Sequence, residues 1–289
     1  MSFTDDLKKV FTRSGNGLMR IILINVLVFL LVNVVGELIR FSGGGQSLVY
    51  WLALPGNVML ALTHGWTFIT YMFLHEGLMH ILFNMLWLYW LGKIFVEYVG
   101  SKRLVAVYLL GGLCGGLLYA VASIIFPLYF YNTFLLGASA GVMAVVIAIA
   151  ILVPDYTIQL LFLGAVPLKY LALASFILTS LLDISQNTGG KISHIGGALF
   201  GAIFMLQYKN GRDITKPVVA FLDWGTSLFS GKTRIKVSYR RAASDDDYNA
   251  NQKAKQAKVD AILDKISKAG YESLTKEEKD FLFKASGKS

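Results

Sequence analysis

Charge is what this 289-residue chain has least of. Only 16% of its residues are Asp, Glu, Lys or Arg, and 55% are hydrophobic, with a mean hydropathy of +0.57. Ordinary globular domains carry about a quarter charged residues, so the shortage excludes a soluble domain and marks an integral membrane protein. Cysteine is reduced to Cys114, inside an apolar run, which excludes an intramolecular disulfide and leaves a small packing residue. No Walker, dinucleotide-binding or zinc-ligand spacing occurs, and no internal repeat. His75 and His80 are five apart, which on a helix puts them on different faces and argues against a metal pair. The expectation is therefore no cofactor and no metal. The formal charge of +9 invites a nucleic-acid reading. The cations, however, flank apolar runs and fill the C-terminal tail, as at the cytoplasmic ends of a membrane protein, so no nucleic-acid partner is expected.

What is present is a series of apolar runs near the ~20 residues that cross a bilayer. They cover about Leu18 to Gly36, Leu78 to Val99, Leu104 to Phe126, Gly137 to Val153, Pro167 to Leu182 and Ile192 to Tyr208. The first run is too long for a signal peptide and no Ala-x-Ala-like cleavage site follows it. Lys8, Lys9, Arg13 and Arg20 precede it, Lys93, Lys102 and Arg103 flank the second turn, and Lys169 lies between the fourth and fifth runs. The other side has little beyond Arg40 and Lys191. By the distribution of Lys and Arg, both termini are expected in the cytoplasm. The outer segment Phe41 to Gly77 contains no Lys or Arg, and its part Ser47 to Pro55, with Tyr50, Trp51 and Trp66, suits the membrane interface.

Four parts follow: a cytoplasmic segment 1–17, an all-α six-helix membrane domain 18–209, a basic and polar linker 210–247, and a cytoplasmic helical hairpin 248–289. Lys209, Arg212 and Lys216 suit anionic lipid heads, or act simply as topology signals. In the tail, Val259, Ile262, Leu263 and Ile266 repeat at helical spacing and Gly270 is placed to end that helix. Thr275 and Glu278 make a capping-box pattern before Phe281, Leu282 and Phe283. The apolar stripe reads first as the hairpin's own core, which leaves room for a cytosolic partner as the second reading.

This topology brings three polar clusters to one depth. Ser139 stands in Gly137-Ala138-Ser139-Ala140-Gly141 at the head of the fourth run, and His194 stands in Ser193 to Gly201 at the head of the sixth. His80 and Asn84 lie one turn apart on one face of the second. All three runs start on the outer side. Each cluster alone has a plainer reading, since small residues and Ser are ordinary at transmembrane helix contacts and a lone His or Asn is more often a packing or hydrogen-bonding group. Together they have the parts for acyl transfer: a hydroxyl, an imidazole base and donors for a developing oxyanion. Asp155 follows the inner end of the fourth run and cannot serve this site. Asp183, on the loop before the sixth run and followed by Gly189-Gly190, is poorly held for a third catalytic role.

With these motifs in order, the sequence resembles the rhomboid family of intramembrane serine proteases over about Leu18 to Lys209. The resemblance rests on His80-x-x-x-Asn84, Gly137-Ala138-Ser139 and His194-x-x-Gly197-x-x-x-Gly201. It implies a six-helix core that cleaves transmembrane protein substrates within the lipid bilayer by a Ser/His dyad. Ser139 is then the nucleophile and His194 the base. His80, Asn84 and the Ser139 backbone N–H bind the oxyanion, and Gly197 and Gly201 let span six approach span four, with Gly137 and Gly141 as small neighbours of the nucleophile. Two positions depart from the family pattern: Ala140 replaces the usual Gly after the nucleophile, and Met143 stands where many members carry a Tyr packed on the catalytic His. The alternatives are a catalytically inactive rhomboid-like protein that binds membrane clients, which should lose part of the set, and a transporter, whose buried polar groups should line a path across the bilayer.

Overall fold

The computed structural model describes residues 16–41, 48–161, 164–182, 187–229 and 245–286. They divide into two compact units, 1–230 and 231–289. The first is built from α1 (Gly17–Leu30, continued by a π-helical turn Leu31–Val35), α2 (Leu78–Tyr98), α3 (Ser101–Ile125), α4 (Ser139–Leu152), α5 (Leu168–Phe176, continued by a π-helical turn Ile177–Leu181), α6 (Thr188–Lys209) and α7 (Lys216–Phe229).

Four helices are long and apolar enough to cross a membrane: Gly17–Val35, Leu78–Tyr98, Ser101–Ile125 and Thr188–Lys209. Ser139–Leu152 and Leu168–Leu181 are apolar but shorter, so the expectation of six full-length spans holds for four among the described residues. The physical reason is clearest for α4. Its 14 residues reach about 21 Å at 1.5 Å each, short of the ~30 Å hydrocarbon core. Ten of them are buried, with no polar stripe, so α4 is walled by protein and its ends have no need to match the bilayer.

Small residues bring the neighbours of α4 close. A Cβ on Gly197 would collide with the Ala140 carbonyl, and one on Gly201 with the Ala144 carbonyl. From the other side, a Cβ on Gly115 of α3 would sit 2.6 Å from that of Ala140. Backbones this near exchange dispersion contacts that larger side chains would prevent.

Residues 48–77 cover this core with short pieces, Leu48–Leu52, Val58–Thr63, Thr67–Thr70 and Tyr71–Phe73. Trp51 stays 48% and Met59 76% exposed. Trp66 donates its indole N–H to the Trp51 carbonyl at 2.9 Å, satisfying the polar edge of an otherwise apolar surface. Two buried tyrosines fasten the segment to α3. The Tyr71 hydroxyl donates to the Gly112 carbonyl at 2.6 Å, and the Tyr108 hydroxyl donates to the Met72 carbonyl at 2.8 Å. Strand β1 (Leu54–Pro55) pairs antiparallel with β2 (Phe134–Leu135), Leu54 opposite Leu135. That pairing ties the segment to the chain just before α4. A separate antiparallel pair, β3 (Thr157–Leu160) with β4 (Gly164–Pro167), joins α4 to α5.

Helix ends differ from the apolar runs. α3 starts at Ser101, before the expected Leu104, where the Ser101 hydroxyl accepts the Gly17 N–H at 2.7 Å. α6 starts at Thr188, before the expected Ile192, because the Asn187 side chain caps it by accepting the Gly190 N–H at 2.8 Å. Residues 216–229, inside the stretch read as linker, form α7.

The second unit holds α8 (Asp245–Ala269) and α9 (Lys276–Ser286). Gly270 follows α8 at φ +77°, a conformation that stops a helix and favours glycine. Thr275 and Glu278 form the reciprocal cap, the Thr275 N–H donating to Glu278 at 2.8 Å and the Glu278 N–H to the Thr275 hydroxyl at 3.3 Å. Lys265 of α8 pairs with Glu278 at 2.9 Å. Ile262 and Leu274 are buried. The N-terminal segment up to residue 15 lies outside the described residues.

Candidate active site

The chain enters α4 through a constrained turn. Leu135 is held in the β1–β2 pair, the Gly137 N–H donates to the Tyr71 carbonyl at 3.0 Å, and Gly137 takes φ +131°. That backbone conformation is nearly closed to residues with a Cβ. Ser139 is then the first residue of α4, half-buried. The first N–H groups of a helix have no intrahelical acceptor and carry the positive end of its dipole, so the backbone around Ser139 and Ala140 suits a developing anion. Ala140 keeps this N–H.

α6 presents His194 in its second turn, half-buried, with Nδ1 3.3 Å from the Thr179 carbonyl. Thr179 lies in the π-helical turn that ends α5, where carbonyls run out of helical partners. Donation from Nδ1–H to that carbonyl selects the tautomer whose Nε2 carries no proton and can therefore accept one. The acceptor is a backbone atom, so no residue type signals it in the sequence.

α2 supplies His80 in its first turn and Asn84 one turn later. A Cβ on Gly137 would lie 3.1 Å from both Cε1 and Nε2 of His80, and 3.6 Å from the Ser139 hydroxyl oxygen. The His80 ring is therefore packed on the turn that carries Ser139. Asn84 donates one amide N–H to the His80 carbonyl at 2.9 Å, and its amide carries a second.

Ser139, His194, His80 and Asn84 line a single cavity of about 570 Å³, with Met143 and Thr179 also in its wall. Glu76 lines the same cavity and is exposed. Gly197 and Gly201 face α4 rather than the cavity, and Gly141 faces Tyr108 of α3. Asp155 pairs with Lys169 at 2.7 Å, beyond the far end of α4. Asp183 lies outside the described residues. Among the described residues no group of three or more His, Cys, Asp or Glu could hold a metal ion.

His75 changes place relative to the sequence reading. It precedes α2 rather than lying on it, so helical spacing does not separate it from His80, and the two rings meet edge to face with centroids 5.0 Å apart. His75 is only 4% exposed, and neither ring nitrogen has a hydrogen-bond partner among the described residues. Burial first, and His80 beside it second, push its pKa down to about 3. It is a neutral ring wedged behind His80.

A rhomboid domain family matches residues 62–209, just over half of the chain and all of the elements that form this cavity. The chain belongs to the rhomboid family. It is accordingly a multi-pass membrane protein with a helical bundle. The second unit of this rhomboid matches a family of unknown function (DUF6576) over residues 243–288. Among curated proteins, the rhomboid is similar to the rhomboid protease GlpG of Klebsiella pneumoniae strain 342, 35% identical over 96 residues, 33% of this chain and 32% of that protein. It is likewise similar to the rhomboid protease GlpG of Salmonella newport strain SL254, 32% identical over 104 residues, 36% of this chain and 34% of that protein. The chain thus matches about a third of the length of these relatives.

Proposed function

We propose that this rhomboid is an intramembrane serine endopeptidase acting on membrane-anchored proteins. The observation that carries the reading is the convergence of Ser139, His194, His80 and Asn84 on one cavity at the start of the buried helix α4. In this mechanism Nε2 of His194 takes the Ser139 proton as Oγ attacks the scissile carbonyl carbon. The Ser139 N–H, the Asn84 amide and His80 donate to the resulting oxyanion, each donor being worth roughly 3 to 4 kcal/mol in a water-poor site. His194 then returns the proton to the leaving amine, and a water repeats the attack on the acyl-enzyme. The Thr179 carbonyl does the orienting that an acidic third residue does elsewhere.

The distribution of Lys and Arg supports an orientation with both termini in the cytoplasm of a bacterial cell, the site near the outer face of the inner membrane. Retention of the full polar set disfavours a catalytically inactive client-binding role.

The test is covalent labelling of the purified protein by a fluorophosphonate probe, alongside cleavage of a single-span model substrate. We expect labelling and cleavage by the wild type and neither by Ser139→Ala, with His194→Ala abolishing cleavage. Undiminished cleavage by a folded Ser139→Ala protein would sink the mechanism.

A further inference from the structure

α7 presents an apolar stripe that no described residue of its own unit covers. Pro217, Phe221 and Trp224 follow one another at four and three residues, one face of a helix, and all are exposed, Phe221 by 65% and Trp224 by 58%. The two aromatic rings stand 5.8 Å apart. Val218, Val219 and Leu222, on other faces, are half-buried. Rotation of the stripe towards the bundle is opposed at two points. Asp213, just before α7, accepts from Arg103 at 2.7 Å, and Arg103 also lies over the Tyr208 ring at the end of α6. Asp223, inside α7, pairs with Lys102 at 2.8 Å.

These partners fix where the stripe lies. Lys102 and Arg103 open α3, and Lys209 closes α6, whereas Ser139, His80 and His194 lie near the starts of α4, α2 and α6. α7 therefore sits at the end of the bundle remote from the site. α6, which ends just before it, carries an exposed apolar face of its own, with Leu199, Ile203 and Leu206 each more than half exposed. Exposed Lys209, Arg212 and Lys216 surround the turn into it. Aromatic rings beside cations, at the edge of an apolar belt, are the chemistry of the lipid headgroup boundary.

We infer that α7 is an in-plane membrane helix whose Pro217, Phe221 and Trp224 insert among anionic lipids of the leaflet remote from the active site. It anchors the bundle independently of any catalysis.

The test uses the full chain carrying Cys114→Ala, reconstituted in nanodiscs of phosphatidylcholine and phosphatidylglycerol, with a nitroxide label at Phe221→Cys, Trp224→Cys or Thr226→Cys. At 221 and 224 the label should collide with oxygen several-fold more, relative to a water-soluble nickel chelate, than at 226. Ala220→Cys, beside the stripe, keeps both aromatic rings and must lean the same way. Nickel access at 221 and 224 equal to that at 226 would place the stripe in water and overturn the inference. Protection from both reagents would overturn it too, since the stripe would then be covered by protein.

Discussion

The His80 imidazole lies over Gly137 so closely that a methyl group on Gly137 would come within 3.1 Å of two ring atoms. Gly137→Ala therefore carries two penalties. The φ of +131° strains any L side chain, at about 1 to 3 kcal/mol, and the added methyl displaces the His80 ring, which lines the cavity with Ser139. We expect at least a tenfold fall in turnover, about 1.4 kcal/mol in the barrier, in a protein that still folds. Full turnover by Gly137→Ala would show that the ring position does not matter.

Asn84 tests the oxyanion assignment. Its amide already bonds the His80 carbonyl at 2.9 Å, so only the second N–H is available to an oxyanion. Asn84→Ala should cut turnover by roughly 10² to 10³, the usual loss for one such donor, while leaving fluorophosphonate labelling detectable. Unchanged turnover removes Asn84 from the mechanism.

At Gly197 there is no room for any Cβ without moving the Ala140 carbonyl. Gly197→Val should separate α6 from α4, and overpacking of this kind costs about 1 to 3 kcal/mol or more. Melting temperature and cleavage should fall together. Leu199→Val on the same helix, at a side chain 55% exposed, is the control and should change neither measurement. A wild-type melting temperature for Gly197→Val would contradict the close approach.

These positions were legible in the sequence because small residues, His and Asn stood at fixed offsets in apolar runs. Other parts were hidden for physical reasons. α4 reads as a spanning run, but its shortness follows from burial on all sides, which hydropathy does not record. α7 is masked by composition, since Lys216 and Asp223 dilute a stripe only three residues long, itself opened by a proline, into what reads as linker. His75 escapes helical spacing because it lies before the start of α2 at Leu78. The Thr179 carbonyl was invisible, as backbone acceptors carry no residue code.

His75 gives a pH test. Its pKa is about 3 in the folded chain against 6.5 when free, so between those values the unfolded chain binds the extra proton. Stability is then complete above pH 6.5 and falls as the pH drops, by about 1.4 kcal/mol per unit for one proton. His75→Phe keeps a ring against His80 and removes two buried nitrogens that lack hydrogen-bond partners among the described residues. Denaturation in detergent between about pH 7 and about pH 4, which crosses the unfolded pKa and stays above the folded one, should be less steep in pH for the variant by about one proton. Equal slopes would mean that His75 is protonated in the folded protein.

The second unit should be dispensable for chemistry. Its helices α8 and α9 have their own cap at Thr275 and Glu278, their own ion pair between Lys265 and Glu278, and their own buried Ile262 and Leu274. Among the described residues the cavity, by contrast, is lined from Glu76 to His194. Truncation after Ser230 falls between the two compact units and keeps α7, with its ties to Lys102 and Arg103. We expect the truncated protein to cleave a model substrate in detergent within a few-fold of the full-length rate and to take up the fluorophosphonate probe equally. A role for residues 231–289 would then have to act on localisation, assembly or a cytosolic partner rather than on bond cleavage. A truncated protein that melts normally and still labels, yet cleaves no substrate, would show that this unit is coupled to substrate entry and that the separation is wrong.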